Sequence, residues 1–459
     1  MNRRIFGLET EFGVALAAAP TAASIAVPSA AMTPDEIVRR LFRPLVVEGR
    51  STNTFLTNGS RLYLDVGSHP EYATAECDSL AQLIAHDKAG ELILAEMVTA
   101  ANLQLAEEGI GGQIHVFKNN TDSAGSSFGC HENYSLRRGG DFNQLVEALV
   151  PHLVTRQILT GAGKVLVTPR GASFRLSQRA EHLFDPVSNS TTRNRPLVNS
   201  RDEPHADPAL FRRLHVISGD SSLAEPTVLL KVGAMDLVLR LLESGRGSPA
   251  SELAAPMQAI RDVSCDITGQ APIALAKGGV TNALAVQRRY LDAVLARPDL
   301  LTPDDDIVCE LWGRGLDGIE SGNLAAVERD LDWVIKWRLI ERYLERNGVG
   351  LDDPRVSRLD LAYADISPGA GLLARLTARG LVNRVVTDAE IADAVKYPPT
   401  TTRANLRGRF VAAARAARKD YSVDWIHLKL HHPEVTLTCP DPFVADDSRV
   451  DALIESLVQ

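Results

Sequence analysis

The chain has 459 residues, with 58 Asp and Glu against 49 Lys and Arg, for a net charge of −9 at pH 7. That length holds one large domain plus a small one, or two to three ordinary ones, and the acidic balance argues against general nucleic-acid binding, which needs a basic face. The five cysteines, Cys77, Cys130, Cys265, Cys309 and Cys439, are dispersed and form no CxxC or Cys/His ligand spacing, so they read as reduced thiols of a cytoplasmic protein.

The first element, RRIFGLETEFGV, alternates. Phe6, Leu8, Phe12 and Val14 share one face and Gly7, Glu9, Glu11 and Gly13 the other, which predicts a single strand with an acidic side. The uncharged run from Phe12 to Pro34 is broken by Pro20, Pro28 and Pro34 and follows two glutamates, so it reads as a loop rather than a membrane span or signal segment. TPDEIVRRLFRPLV then offers Thr33 as N-cap, Pro34 at the first helical position and acids in the first turn, a helix start.

RLYLD alternates again, with Leu62, Leu64 and Val66 opposite Arg61, Tyr63 and Asp65. The strand breaks over Gly67 to Pro70 and resumes in EYATAEC, before a long amphipathic helix that ends at Gly109. Residues 115–135 predict a hairpin around a Gly/Ser-rich loop. Helices are expected at 143–160, 226–245, 250–264, 283–296, 324–346, 370–380 and 387–395. Near 396 the Pro/Thr-rich stretch KYPPTTTRANLRGRF marks a domain boundary, giving a catalytic unit over 1–395 and a small α+β unit over 396–459.

Strands that expose alternating carboxylates are costly unless a positive charge sits among them. Glu9, Glu11, Asp65 and Glu71 form a hard oxygen set suited to Mg²⁺ or Mn²⁺, set against the simpler reading of a solvated sheet face. His131, Glu132 and Asn133 lie beside KNNTDSAG, where the histidine is either a ligand or a satisfied structural residue. The loop SAGSSFG offers backbone N–H groups to an anion, but no Walker loop occurs. Arg193, Arg195, Arg201, Arg212 and Arg213 gather as a candidate anion site, or as surface ion pairs with Asp202, Glu203 and Asp207. Trp425 of YSVDWIHLKL is either a base-stacking ring or core. No nucleophile signature is present. These residues point to a metal-dependent enzyme of phosphoryl chemistry.

Taken together, MNRRIFGLETEFG, RLYLDVGSHPEYATAECDS, FKNNTDSAGSSFGCHENY, SQRAEHLF, SRDEPHAD and VDWIHLKL resemble the Pup ligases of actinobacteria, along the whole chain. The resemblance implies an α+β fold: a glutamine synthetase-like curved antiparallel sheet that holds ATP and Mg²⁺, backed by helices, with a small C-terminal α+β domain. It implies that ATP phosphorylates the side-chain carboxylate of the C-terminal glutamate of Pup, the prokaryotic ubiquitin-like protein, for attack by a lysine of a target protein. Residue by residue, it carries Glu9, Tyr63 and Glu71 to Mg²⁺, Arg61, Thr74 and Trp425 to ATP, and Asp65 to the catalytic base. A base is chemically necessary, since a lysine amine is protonated at neutral pH. Glu11 and His131 follow only as metal-site neighbours, by analogy with glutamine synthetase. Pup is expected to be acidic and disordered, which would suit a groove near Arg193 to Arg213. The Ala/Pro run after Val14 is longer than the family pattern.

The nearest rival is the related Pup deamidase, a hydrolase on the same fold. Its long extra loop between the ETE and HPEY elements has no counterpart in the short interval from Glu11 to Arg61, which favours the ligase. A small-molecule glutamate–amine ligase and a catalytically silent ATP-binding protein are further readings. The intact Glu9, Asp65 and Glu71 argue against the silent one. Neither nucleic acid nor a membrane is an expected partner.

Overall fold

The computed structural model describes residues 3–17, 32–49, 51–65, 67–122, 125–189, 195–245 and 247–458. Most of the Ala/Pro run therefore lies outside the described residues, as does Arg193. Twelve strands precede the helix Glu225–Glu243: β1 (Phe6–Glu11), β2 (Gly13–Ala17), β3 (Asn53–Phe55), β4 (Arg61–Asp65), β5 (His69–Ala73), β6 (Gln113–Phe117), β7 (Cys130–Arg137), β8 (Lys164–Thr168), β9 (Gly171–Arg175), β10 (Asp185–Ser188), β11 (Pro196–Asn199) and β12 (Phe211–Val216). Eight of them form one sheet in the order β10-β11-β12-β7-β1-β5-β4-β3. Every pairing in it is antiparallel except β10 with β11.

Two expectations change here. The strand predicted across Phe6 to Val14 is divided at Phe12: β1 stays in the large sheet, while β2 leaves it to pair with β6, Gly13 opposite Phe117. The apolar alternation runs through the break because Phe12 is buried in a second core cluster with Leu62, Tyr72 and Leu94, so side-chain pattern does not register the change of partner. For the same reason residues 115–135 do not form a hairpin. β6 pairs with β2, while β7 inserts between β1 and β12.

The helix at Pro34–Leu41 begins with the reciprocal Thr33/Glu36 capping box and Pro34 in its first turn. Helix Leu80–Glu107, N-capped by Ser79, backs the apolar side of the sheet and contributes to both main clusters. Its Gly90 is dictated by packing, since a Cβ there would meet the Tyr72 ring at 2.4 Å. Helix Glu225–Glu243 is buried on nearly every side, which is why it reads as apolar all round. The helix expected over 250–264 starts only at Pro256, and that over 324–346 only at Asp332. Helices Asp306–Glu320 and Pro354–Ala364 were not anticipated.

The C-terminal elements, two helices (Ala404–Ala416 and Ser448–Val458) and three short strands between them, share a separate cluster around Leu406, Phe410, Leu428 and Leu430. Buried ion pairs join them to the sheet: Glu76, just beyond β5, is gripped by Arg403 and Arg407. Burial alone would raise the Glu76 carboxyl, but the two guanidinium groups hold it down at about 2. All five cysteines are free. Among the described residues, no helix is long and apolar enough to cross a membrane.

Candidate active site

The face of the sheet away from the helices carries the polar positions, and register determines what they meet. Tyr63 on β4 is opposite Glu71 on β5, which is opposite Glu11 on β1. One step along, Arg61 is opposite Ala73, Ala73 opposite Glu9, and Glu9 opposite His131 on β7. Beyond His131 the same face continues through Asn133 to His215 on β12. The two rows place the acids of ETE, the YLD and HPEY strands and the histidine of CHENY side by side.

Two ligand sets result, each with its donor atoms within 4.8 Å of one another: Glu9 with His131 and His215, and Glu11 with Asp65 and Glu71. Glu9 is the better satisfied. His131 Nδ1 lies 3.0 Å from its Oε2, Asn133 donates to Oε1 at 3.2 Å, and Arg213 approaches Oε1 at 3.5 Å. Burial would raise the Glu9 carboxyl, but hydrogen bonds from His131 and His215 hold it well below the usual range. For Glu71 the hydrogen bond from Tyr63 is too little to offset its surroundings. Burial and then the charges of Glu9 and Glu11 push it up to about 9. Burial and the charges of Glu9 and Glu71 also raise the Tyr63 phenol, so Tyr63 is a neutral oxygen here.

The crowded carboxylates of this face, with the Tyr63 oxygen beside Glu71, are hard oxygen donors that fit Mg²⁺. Gly129 supports this arrangement by close approach. A Cβ there would lie 2.5 Å from His131 Nε2 and 2.6 Å from Glu11 Oε1.

Next to Glu9 a cavity opens between the sheet and the C-terminal unit, walled by Thr74, His205, Arg213 and Trp425. Trp425 also borders a wider cleft, with Arg61, Arg415, Arg418 and Lys419 on its walls. Arg61 packs its guanidinium 4.2 Å from the Tyr63 ring centroid and donates to Asn53. Thr74 is buried, and its hydroxyl accepts from the backbone N–H of Leu8 at 3.1 Å. Asp65 ends β4 opposite His69 and is partly exposed.

Other expected groupings come apart. Glu132 faces the core, not the site: it is fully buried and pairs with Arg156, while Tyr134 donates to it at 2.7 Å. Lys118 is buried against Asp87 at 2.6 Å and Glu91 at 2.9 Å, so it serves packing rather than an anion. Among the described arginines, Arg201 donates to the carbonyl of Asn189, Arg212 lies over the Phe142 ring, and Arg213 turns toward Glu9. His215 was missed. The alternation of FRRLHV, which puts Arg213 and His215 on one face, was the available signal.

This face sets clustered acids and histidines beside an aromatic-walled cavity, an arrangement that can hold a cation and a flat ring side by side. A family model described as Pup-ligase protein matches residues 4–429. The chain is 56% identical to the Pup--protein ligase of Sanguibacter keddieii, covering 99% of this chain and all of that one, and 56% identical to that of Xylanimonas cellulosilytica over the full length of both. It superposes on the ligase PafA solved in complex with Pup at a TM-score of 0.93, with 43% identity over 100% of this chain and 93% of the other. Against PafA solved in complex with ADP, the TM-score is 0.86 and the identity 44%, covering 96% and 97%. The chain belongs to the Pup ligase family.

Proposed function

We propose that this chain is an ATP-dependent ligase that activates the side-chain carboxylate of the C-terminal glutamate of Pup and joins it by an isopeptide bond to lysines of target proteins, marking them for proteasomal degradation. The observation that carries this reading is the placement of Asp65 within the same ligand set as Glu11 and Glu71, on a face that runs directly into the Trp425 cavity. We assign residues 1–395 to the catalytic unit and 396–459 to a small unit that closes the nucleotide cavity through Trp425, in a cytoplasmic protein.

In this reading Glu9, Tyr63 and Glu71 hold Mg²⁺, while Arg61, Thr74 and Trp425 contact ATP. ATP bound with Mg²⁺ supplies the phosphoryl group that activates the glutamate carboxylate. Arg213, anchored to Glu9 and Asn133, adds positive charge beside the face where negative charge accumulates. Asp65, at the open end of its strand, takes a proton from the incoming lysine ammonium. The free amine then attacks the activated carbonyl, the C–N bond forms, and inorganic phosphate leaves. The deep carboxylates cannot do this work as well, because Glu71 is held protonated or engaged by the cation.

The deciding experiment incubates the protein with ATP, Mg²⁺, Pup ending in glutamate and a lysine-bearing acceptor, and follows acceptor mass. The expected result is an acceptor heavier by one Pup. No adduct, together with ammonia release from Pup ending in glutamine, would instead identify the deamidase.

A further inference from the structure

Trp425 does not stand alone at the mouth of the nucleotide cavity. Phe55 meets its ring edge-on at 5.0 Å, and the Arg407 guanidinium lies 4.8 Å from its centroid. The imidazole of His205 is the third neighbour, 6.2 Å away between centroids and tilted by 37°. That geometry is neither stacked nor edge-on. It is a wedge, short by less than about 1 Å of the ~7 Å that admits a flat ring in van der Waals contact with both sides. Both residues border the cavity beside Glu9 and also the wider basic cleft, so the wedge stands where the two meet.

The backbone argues that His205 is held there for a purpose. Its φ is +48°, in the left-handed region that a residue with a Cβ adopts at a cost. The conformation is pinned through its carbonyl, which accepts from Arg403 at 2.8 Å, and Arg403 is itself fixed on Glu76. The residue is nonetheless exposed, and among the described residues no hydrogen bond engages its ring. Strain has been spent on presenting an aromatic face that contributes nothing to the core.

We propose that His205 is the second wall of the nucleotide base site, so that the purine ring of ATP stacks between His205 and Trp425. This rests on the reading of Trp425 as a nucleotide contact. It extends that reading from one ring to a two-sided slot, closed from behind by the Glu76–Arg403 and Glu76–Arg407 ion pairs.

The test compares ATP binding by calorimetry, with Mg²⁺ present, for the full chain and for Trp425→Ala, His205→Asn and His205→Phe. Asparagine tolerates the left-handed backbone and removes the ring. It is expected to weaken ATP roughly tenfold, the range of one base-stacking contact, and phenylalanine to restore affinity to within about threefold. In ligation assays His205→Asn should raise KM for ATP by a similar factor and leave kcat unchanged, because the base is remote from the transferred phosphate. Wild-type ATP affinity in His205→Asn, or no recovery in His205→Phe, overturns the slot. If Trp425→Ala weakens ATP while His205→Asn does not, only the slot fails. If neither substitution matters, the placement of ATP at Trp425 fails with it.

Discussion

Glu71 on β5 stands directly opposite Glu11 on β1, and burial together with the charges of Glu9 and Glu11 pushes its carboxyl up to about 9 from an ordinary 4.5. At neutral pH it therefore keeps its proton until a cation arrives, and a divalent ion bound among these oxygens must expel it. Titrating Mg²⁺ or Mn²⁺ by calorimetry in buffers of different ionisation enthalpy should show about one proton released per ion at pH 7. The stability consequence has a definite sign. A folded-state value above the unfolded one means that the cation-free protein loses stability as pH rises from about 4.5 towards about 9. Mg²⁺ should accordingly raise Tm more at pH 8 than at pH 6. Equal increments and no proton release would remove Glu71 from the ligand set.

With Asp65 as the proposed base, its substitution should separate transfer from binding. The residue is partly exposed at the end of β4, so Asp65→Asn leaves the fold intact. Loss of a general base lowers the rate by about 10²- to 10⁴-fold, while ATP binding should stay within about threefold of wild type. The pair of measurements is acceptor modification by mass and ATP affinity by calorimetry. A parallel loss of both would make Asp65 a metal ligand rather than the base.

Much of this site was legible because a strand's period of two puts its polar residues on one face. Glu9, Glu11, Arg61, Tyr63 and Asp65 were grouped correctly by that rule alone. What alternation cannot give is register: that Glu11 meets Glu71 and Glu9 meets His131 depends on which strands become neighbours. The same ignorance of partners produced the false hairpin at 115–135 and left His215 unconnected to Glu9. The parting of two of the arginines has the complementary reason. Arg212 and Arg213 are adjacent in sequence, and on a strand adjacent residues diverge, so one meets Phe142 and the other Glu9. Glu76 and Asp78 had no evident task in the sequence, since their partners Arg403 and Arg3 lie 327 and 75 positions away.

Glu76 is the hinge pin between the sheet and the C-terminal unit. Glu76→Gln leaves two buried guanidinium groups without their anion, a change expected to cost about 3–5 kcal/mol of stability in denaturant unfolding. The pH dependence runs opposite to that of Glu71. With a folded-state value of about 2 below the ordinary 4.5, its contribution is present in full above about pH 4.5 and is lost as pH falls towards about 2. Because Arg407 also supports the Trp425 ring, the variant should weaken ATP as well. Unfolding curves for wild type and Glu76→Gln that stay equally far apart from pH 7 down to pH 3 would contradict this account.

Gly129 gives the sharpest test of the face itself, because its position is set by atoms of the site rather than by backbone conformation. In Gly129→Ala the new methyl group would lie 2.5 Å from His131 Nε2 and 2.6 Å from Glu11 Oε1, too close for either to stay where it is. His131 is tied to Glu9 at 3.0 Å, so relief must come by moving one side chain of each ligand set. Displacement of this size at a reacting centre costs on the order of 10²-fold in rate, and Mg²⁺ affinity should fall with it. Gly129 is buried, but the atoms its Cβ would meet belong to His131 and Glu11 and not to apolar side chains, so Tm in the absence of Mg²⁺ should stay close to wild type, while the rise in Tm on adding Mg²⁺ shrinks. An alanine variant with normal ligation and a normal Mg²⁺-dependent rise would show that His131 and Glu11 can retreat without loss, and that the metal is held elsewhere on the face.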